Sequence, residues 1–197
     1  MYSQNDEERV ILEYFAGKTD GRFVDVGAWS GATFSNVWAL MELGWSGVMV
    51  EPSPRAFADL MTNTKPFAER VTLYNVALNA MGGLMPFYDS SGDAVSSLSS
   101  VHRDKWEKSV EPMRPIVINA LSSALFWNGM EHQAEFINLD VEGLNLELFA
   151  MLPWHWDQLK MICVEHDRQD NTMTADAAPL GFKAHYRTKE NLILVRS

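Results

Sequence analysis

One strand that runs directly into a glycine-bearing turn constrains this chain more than any other feature. Residues 22–26 read Arg-Phe-Val-Asp-Val, and the turn Gly-Ala-Trp-Ser-Gly at 27–31 leads into a helix predicted to begin at Ala32. A second apolar run at 47–50 ends in Glu51. A turn and an acid at the ends of adjacent strands are the arrangement with which an α/β sheet binds a nucleotide, the acid contacting the ribose hydroxyls.

The rest of the sequence alternates between strand and helix patterns. The strand candidates are mostly continuous apolar runs, which are typical of parallel strands covered on both faces. This order predicts an α/β fold with a doubly wound, mostly parallel sheet and helices on both faces. The predicted strands are 22–26, 47–51, 71–76, 83–88, 115–118, 134–140 and 160–165, with a hairpin over 181–195; the predicted helices are 6–16, 32–43, 54–63, 120–126 and 144–152.

The composition indicates a single globular domain. With 197 residues, 47% of them hydrophobic, we expect one domain over 1–197, with a β-rich or loop excursion at about 83–118. Cys163 is the only cysteine and lies in an apolar run, which predicts a buried, unreactive thiol. No apolar stretch approaches the roughly 20 residues of a membrane span, and the acidic start differs from a secretory signal. We therefore expect a soluble, cytoplasmic protein without a membrane partner.

The turn and the net charge select among nucleotide ligands. A formal net charge of −10 lacks the cation excess of a nucleic-acid binder, so no nucleic-acid partner is expected. A dinucleotide turn needs G-x-G-x-x-G, whereas the bulky Trp29 stands midway between Gly27 and Gly31. S-adenosyl-L-methionine carries no phosphate and suits this turn better than a pyrophosphate does. The alternative interpretations are a tight turn that binds no ligand and, for Glu51, a solvated strand-end carboxylate.

Several short motifs extend the pattern along most of the chain. In order they are 23–28 with Gly31, Gly-Trp-Ser-Gly-Val at 44–48, Glu-Pro-Ser-Pro at 51–54 with Ala-Phe at 56–57, Asn-Val-Ala at 75–77, Ser-Ser-Leu at 96–98, Ile-Asn-Leu-Asp-Val-Glu-Gly at 137–143 and Val-Glu-His at 164–166. Together they resemble the FkbM family of S-adenosylmethionine-dependent methyltransferases. The resemblance implies a class I methyltransferase (Rossmann-like) fold with a seven-stranded sheet and an antiparallel C-terminal strand. It also implies O-methylation of a small-molecule or carbohydrate acceptor.

The resemblance assigns cofactor contacts by position. The turn residues would surround the methionine moiety, Glu51 would hold the ribose, and the segment after it would line the adenine with residues that follow the third strand. Trp29 replaces the middle glycine of the general methyltransferase pattern, which bears on the path of this turn. The residues so assigned are Asp25, Gly27, Ala28, Ser30 and Gly31 for the turn, then Glu51, Pro52 and Ser53, then Asn75, Val76 and Ala77.

Candidate catalytic groups follow two strands whose carboxyl ends share the edge of the turn, where open sheets bind ligands. His166 is the natural general base, because its ordinary pKa of about 6.5 lets it accept a proton near neutral pH. Asp140 and Glu142 are expected to orient the acceptor hydroxyl or the cofactor's ammonium, so Asp140 counts as both a catalytic and a cofactor residue. The alternative interpretation of His166 is a histidine of a surface loop. For Asp140 and Glu142 it is a pair of acids that stabilise the N-terminus of a helix.

A divalent metal is a second, less favoured prediction. Asp140, Glu165 and Asp167 resemble the strand-end carboxylates with which catechol-type methyltransferases hold magnesium, and hard oxygen ligands suit that ion. Trp29 and Trp106 are candidates for flanking an acceptor.

Two other functions stay open at the level of sequence. A degenerate methyltransferase fold could serve as a binding module without a cofactor. A nicotinamide-dependent oxidoreductase is less favoured, because of Trp29 and because no clear Tyr-x-x-x-Lys pair occurs.

Overall fold

The computed structural model describes residues 2–90, 96–98 and 114–197, and seven of its strands form one sheet in the order β3-β2-β1-β7-β8-β10-β9. All neighbouring pairs are parallel except those of β10, which runs antiparallel to both β8 and β9. The predicted fold class, with its antiparallel C-terminal strand, is thereby confirmed. The strands are β1 Arg22–Val26, β2 Ser46–Val50, β3 Val71–Tyr74, β4 Ala77–Asn79, β5 Gly83–Asp89, β6 Arg114–Ser122, β7 Phe136–Leu139, β8 Met161–Glu165, β9 Phe182–Arg187 and β10 Asn191–Arg196.

Helices cover both faces of this sheet, because successive strand residues point to opposite sides. One face packs against the helices α4 to α6 through an apolar cluster that includes Ile137 and Ile162, and the other packs against α1 to α3 through a cluster that includes Phe23 and Phe136. Cys163 is buried, as predicted. The helices are α1 Glu7–Phe15, α2 Trp38–Glu42, α3 Pro54–Asn63, α4 Ser123–Asn128, α5 Asn145–Ala150 and α6 Asp170–Ala177, with short 3-10 turns at Lys65–Phe67 and Ala178–Leu180.

The start of α3 matches its sequence signals. Ser53 accepts a hydrogen bond from the Ala56 N–H at 3.4 Å, and Pro54 occupies the first turn, where its missing N–H costs nothing. Across the described residues, no helix combines the length and the apolar character needed to cross a membrane. The cytoplasmic location stays a prediction.

The helix predicted over 32–43 is wrong in its first half. Only Trp38–Glu42 is helical, and residues 29–37 form irregular turns. Trp29 and Phe34 have φ angles of 45° and 57°, which a right-handed helix excludes. The helix begins later because the Ser35 hydroxyl accepts hydrogen bonds from the N–H groups of Val37 and Trp38. The apolar spacing at 34–41 therefore reflects burial of a loop and a short helix.

A second, three-stranded sheet includes the described residues at both ends of the predicted excursion. Its order is β4-β6-β5, with β6 parallel to β4 and antiparallel to β5. One face of it is buried through Ala77, Phe87, Ile118 and Ala120. The helix predicted at 120–126 begins at Ser123 instead, because residues 120–122 pair with β4.

The start of α1 is hydrogen-bonded to the turn between the last two strands. Glu7 is fully buried and accepts hydrogen bonds from the Thr188 hydroxyl at 3.0 Å and from the Asn191 amide at 2.9 Å. Asn5 donates to Glu190 at 3.2 Å. Residues from the two ends of the described chain thus form one wall beside the carboxyl ends of the central strands.

Candidate functional site

A cavity of about 600 Å³ opens at the carboxyl ends of β1, β2, β7 and β8. Its volume lies within the range of small-molecule sites, and its position is where open α/β sheets bind ligands. Ten of the predicted cofactor and catalytic residues line it: Asp25, Gly27, Ala28, Glu51, Pro52, Val76, Ala77, Asp140, Glu142 and His166. The metal candidates Glu165 and Asp167 and the acceptor candidate Trp29 line it as well.

Gly27 allows the turn after β1 to pass directly over the end of β7. Its φ is 89°, and a Cβ at this position would lie 1.6 Å from the carbonyl oxygen of Asp140. The N–H groups of Gly27 and Ala28 both donate to the Val50 carbonyl, at 2.9 and 3.0 Å. Only glycine fits here, and its presence brings the ends of three strands to one edge of the cavity.

Glu51 is held by two backbone N–H groups. Trp29 N–H donates to Oε2 at 2.8 Å and Ser53 N–H donates to Oε1 at 2.7 Å. Burial raises the pKa of the Glu51 carboxyl to about 7, against the lowering effect of these two hydrogen bonds. Each oxygen keeps a second lone pair, so the carboxylate can still accept two hydrogen bonds from a ligand.

A chain of amides and a carboxylate forms the floor of the cavity. Asp25 is buried and accepts a hydrogen bond from Asn138 Nδ2 at 2.8 Å, while Asn138 Oδ1 accepts one from Asn36 Nδ2 at 3.0 Å. Burial raises the pKa of Asp25 to about 6, although the Asn138 bond lowers it. Asn138 was predicted only as part of a motif, and Asn36 was not predicted. The Asn-Leu-Asp spacing places Asn138 and Asp140 on the same side of a strand, and this signal could have identified Asn138.

Three carboxylates meet on the far side of the cavity. Oxygens of Asp140, Glu142 and Glu165 lie within 4.8 Å of one another. Burial, followed by repulsion from the neighbouring acids, raises the pKa of both Asp140 and Glu165. The predicted metal candidates were Asp140, Glu165 and Asp167, but the structure groups Glu142 with the first two.

Asp167 is hydrogen-bonded to Asn145 and is not part of the group of three carboxylates. The Asn145 amide donates to Glu165 Oε2 at 2.6 Å and to Asp167 Oδ2 at 3.1 Å, and its own oxygen accepts from the Val141 N–H at 2.9 Å. This fully buried residue, at the start of α5, ties together the loops that follow β7 and β8. Asn145 was not predicted, because no local pattern in the sequence marks an asparagine that bonds to residues twenty or more positions away.

His166 lies at the cavity but faces backbone atoms. Its side chain is buried, Nδ1 accepts a hydrogen bond from the Arg168 N–H at 3.0 Å, and Nε2 lies 3.5 Å from the Thr188 carbonyl oxygen. The ring must release one of these contacts before it can accept a proton from a substrate. Its role as general base stays a prediction.

Four predicted cofactor residues do not line the cavity. Gly31 packs the turn on α3, since a Cβ there would lie 2.4 Å from Leu60 Cδ1. The backbone oxygen of Ser30 accepts from Asn63. Ser53 and Asn75 support Glu51 from behind, because Asn75 donates to the Glu51 carbonyl at 2.8 Å. Trp106, predicted to flank an acceptor, lies outside the described residues.

We expect the stability of the protein to fall as the pH rises from about 4 to about 7. The folded state raises the pKa of Asp25 from 3.8 to about 6 and that of Glu51 from 4.5 to about 7. In this interval the folded chain keeps protons that the unfolded chain releases, so deprotonation favours unfolding. One pKa unit corresponds to about 1.4 kcal/mol, so the free energy of unfolding should be lower by about 2 kcal/mol or more at pH 8 than at pH 5. Urea titrations at pH 5 and at pH 8 measure this difference in the free energy of unfolding.

The matched variants for this experiment are Asp25→Asn and Glu147→Gln. The first cannot ionise and keeps the oxygen that accepts from Asn138, so part of the decline should disappear. Glu147 is exposed on α5, and its replacement should leave the decline unchanged. A stability that rises over this interval would contradict the interpretation.

Comparison with known proteins agrees with this fold. The model of the FkbM methyltransferase domain matches residues 25–184. A methyltransferase FkbM structure from Methylobacillus flagellatus aligns with a TM-score of 0.55 at 13% identity, over 91% of this chain and 44% of that one. This chain therefore spans less than half of that structure's length. No match was found among the curated proteins.

Two further structures share the fold at low identity. A precorrin-6y C5,15-methyltransferase from Geobacter metallireducens aligns with a TM-score of 0.50 and 14% identity, over 96% of this chain and 87% of that one. A structure from Pyrococcus horikoshii, provisionally named an RNA methyltransferase, aligns with a TM-score of 0.51 and 10% identity, over 96% and 81%. Because the family model covers most of the chain, and the glycine turn and strand-end acid lie within it, the chain belongs to the FkbM methyltransferase family.

Proposed function

We propose that this protein is an S-adenosylmethionine-dependent methyltransferase that acts on a hydroxyl group of a small molecule or a sugar. The observation that carries the proposal is the Glu51 carboxylate, which the N–H groups of Trp29 and Ser53 fix beside the Gly27 turn. A carboxylate held in this way at the end of the second strand is suited to a pair of ribose hydroxyls. Family membership supports the same cofactor.

The polar atoms of the cavity fit this cofactor. Asp140 Oδ1 and Asn36 Oδ1 are buried and have no hydrogen-bond partner, and both residues line the cavity. These atoms are acceptors, and with Glu51 they call for a ligand rich in N–H and O–H donors. S-adenosylmethionine offers an ammonium group, two ribose hydroxyls and an adenine amino group. We assign Asn36 to the ammonium, Asp140 to the hydroxyl of the methyl acceptor, and Pro52, Val76 and Ala77 to the adenine.

The side chains then divide the work of methyl transfer. When bound, the cofactor supplies a methyl group attached to a positively charged sulfur. The protein must place the acceptor oxygen in line with that methyl group and receive the hydroxyl proton. Carboxylate oxygens of Asp140 and Glu165 lie within 4.8 Å of each other, and burial raises the pKa of both groups, which makes them stronger bases than ordinary carboxylates. We propose that this pair, with Glu142 beside it, receives the proton, and we retain His166 as the alternative base.

The charge of the cavity bears on the acceptor. Among the described lining residues seven are acids, and the basic side chains are Arg168, Lys189 and His166: the acids are Asp25, Glu51, Asp140, Glu142, Glu165, Asp167 and Glu190. A phosphate-rich acceptor would meet repulsion here. The cavity therefore favours a neutral or cationic small molecule over a nucleic acid.

Titration calorimetry with S-adenosylhomocysteine tests the cofactor assignment. We expect micromolar binding, and NADH serves as the control ligand. Binding of NADH alone would move the assignment to an oxidoreductase. A folded protein that bound neither ligand would instead be a binding module that has lost its cofactor. Repeating the titration with EDTA and with magnesium measures whether the three-carboxylate cluster adds a metal requirement.

A further inference from the structure

Two stacked aromatic side chains line the cavity. The rings of Trp29 and Phe34 stack with their centroids 6.0 Å apart and their planes at 18°. Both residues line the cavity, and Phe34 is 54% exposed. We call this stacked pair the aromatic platform.

The backbone holds the aromatic platform in a costly conformation. Both residues have positive φ angles, 45° and 57°, which are unfavourable for bulky side chains. Trp29 is fixed there by its hydrogen bond to Glu51, and Phe34 by the hydrogen-bonded turn at Ser35 that follows it. An exposed phenyl ring returns little burial energy to offset this cost. Such strain at a cavity points to contact with a ligand rather than to a role in the core.

The proposed position of the cofactor leaves the aromatic platform to the acceptor. The adenine is assigned to Pro52, Val76 and Ala77, which follow β2 and β3. The ribose is assigned to Glu51, whose carboxylate bonds the Trp29 backbone rather than its ring. With the adenine and the ribose assigned to other residues, the methyl acceptor is the remaining ligand that could stack on the platform with a flat ring.

The basic groups of the cavity narrow the acceptor further. The proposed proton acceptors, Asp140 and Glu165, are carboxylates, and a carboxylate is a far weaker base than an aliphatic alkoxide. An aliphatic hydroxyl is about as weakly acidic as water, whose pKa is about 15.7. A phenolic hydroxyl, with a pKa of about 10, is much better matched to a carboxylate base. A phenol also supplies the flat ring that the platform can bind.

We propose that the acceptor is a phenolic compound whose ring stacks on the Trp29–Phe34 platform and whose hydroxyl faces Asp140 and Glu165. This inference rests on the proposed function. In the reaction the oxygen–methyl bond forms while the sulfur–methyl bond breaks. The phenolic proton passes to the carboxylate pair, so the products are an aryl methyl ether and S-adenosylhomocysteine.

Catechol and trans-cyclohexane-1,2-diol are matched probes, because both carry two adjacent hydroxyls and only catechol is flat. Their binding is measured by ligand-observed NMR titration of the whole chain, with and without saturating S-adenosylhomocysteine. We expect catechol to bind at least tenfold more tightly than the diol. Phe34→Ala should weaken catechol binding roughly fivefold. Phe34→Tyr, which keeps the ring, should retain it.

The control variant is Met61→Ala, because Met61 is 53% exposed on α3 and does not line the cavity. This variant should change neither the affinity for catechol nor the affinity for S-adenosylhomocysteine. Equal binding of the two probes, or unchanged catechol binding in Phe34→Ala, would refute the platform. If Phe34→Ala weakened S-adenosylhomocysteine as much as catechol, the platform would belong to the adenine and the proposal would fall. Failure of S-adenosylhomocysteine to bind, with catechol binding intact, would refute the proposed function and leave the platform standing.

Discussion

Replacing Gly27 with alanine is expected to weaken S-adenosylhomocysteine binding by at least about a hundredfold. The new Cβ would lie 1.6 Å from the Asp140 carbonyl oxygen, which is less than half of a normal contact distance. The obstacle is backbone, so either the turn must leave β7 or the end of β7 must leave the sheet. Either movement separates the turn from Asp140 and Glu51. Calorimetry of the purified variant measures the loss.

Gly17→Ala separates this clash from simple backbone strain. Gly17 has a similar φ of 77°, but a Cβ there would meet nothing within 4 Å. Both variants therefore incur the cost of a left-handed alanine, about 1 kcal/mol, and only Gly27→Ala adds the collision. We expect Gly17→Ala to bind S-adenosylhomocysteine with unchanged affinity. Equal affinities for the two variants would show that Gly27 serves the turn alone and not the site.

Glu51→Ala is expected to have an effect of similar size on cofactor affinity. The change removes a charged acceptor for the ribose, and each hydrogen bond to a charged group contributes about 1.5–3 kcal/mol. It also leaves the N–H groups of Trp29 and Ser53 without their partner, which loosens the turn. We expect a loss of at least about a hundredfold in the affinity for S-adenosylhomocysteine, measured by calorimetry.

Two further variants define what Glu51 does. Glu51→Gln keeps one acceptor oxygen but turns an amide group toward one of the two N–H donors, so its affinity should fall between those of wild type and Glu51→Ala. Glu147→Ala removes a carboxylate from an exposed position of α5 outside the cavity and should bind normally. An affinity for S-adenosylhomocysteine that survived Glu51→Ala would exclude this residue from the ribose site.

The architecture was accessible from the sequence because its signals are local. The strand at 22–26, the capped helix that begins at Pro54 and the final hairpin each carry their own pattern of apolar residues and turn residues. The parallel order then follows from alternation of strands and helices. Helix α6 at Asp170–Ala177 was not predicted, because polar and small residues interrupt any apolar face there. The short strand β4 was also missed, since three residues are too few to show a period.

The candidate site was predictable only in part, for a different reason. Glu51 and Gly27 follow from rules about strand ends. The partnership of Asn145 with Glu165, and that of Asn138 with Asp25, depend on side-chain directions that emerge only when distant segments pack. The same holds for the Trp29–Phe34 platform, because its geometry results from two left-handed residues in a stretch where apolar spacing indicated a helix.

The contacts between α1 and the β9–β10 turn have a consequence for biosynthesis. Glu7 must find Thr188 and Asn191, and Asn5 must find Glu190, all more than 180 positions away. These pairs close the longest loops in the described fold, and pairing over such distances is slow. A ribosome adds about 5–20 residues each second, so the growing chain spends about one to five seconds with its central strands made and this wall missing. The cavity should thus be completed only after the turn between β9 and β10 has left the ribosome, so we expect the nascent chain to lack this wall of the cavity until then.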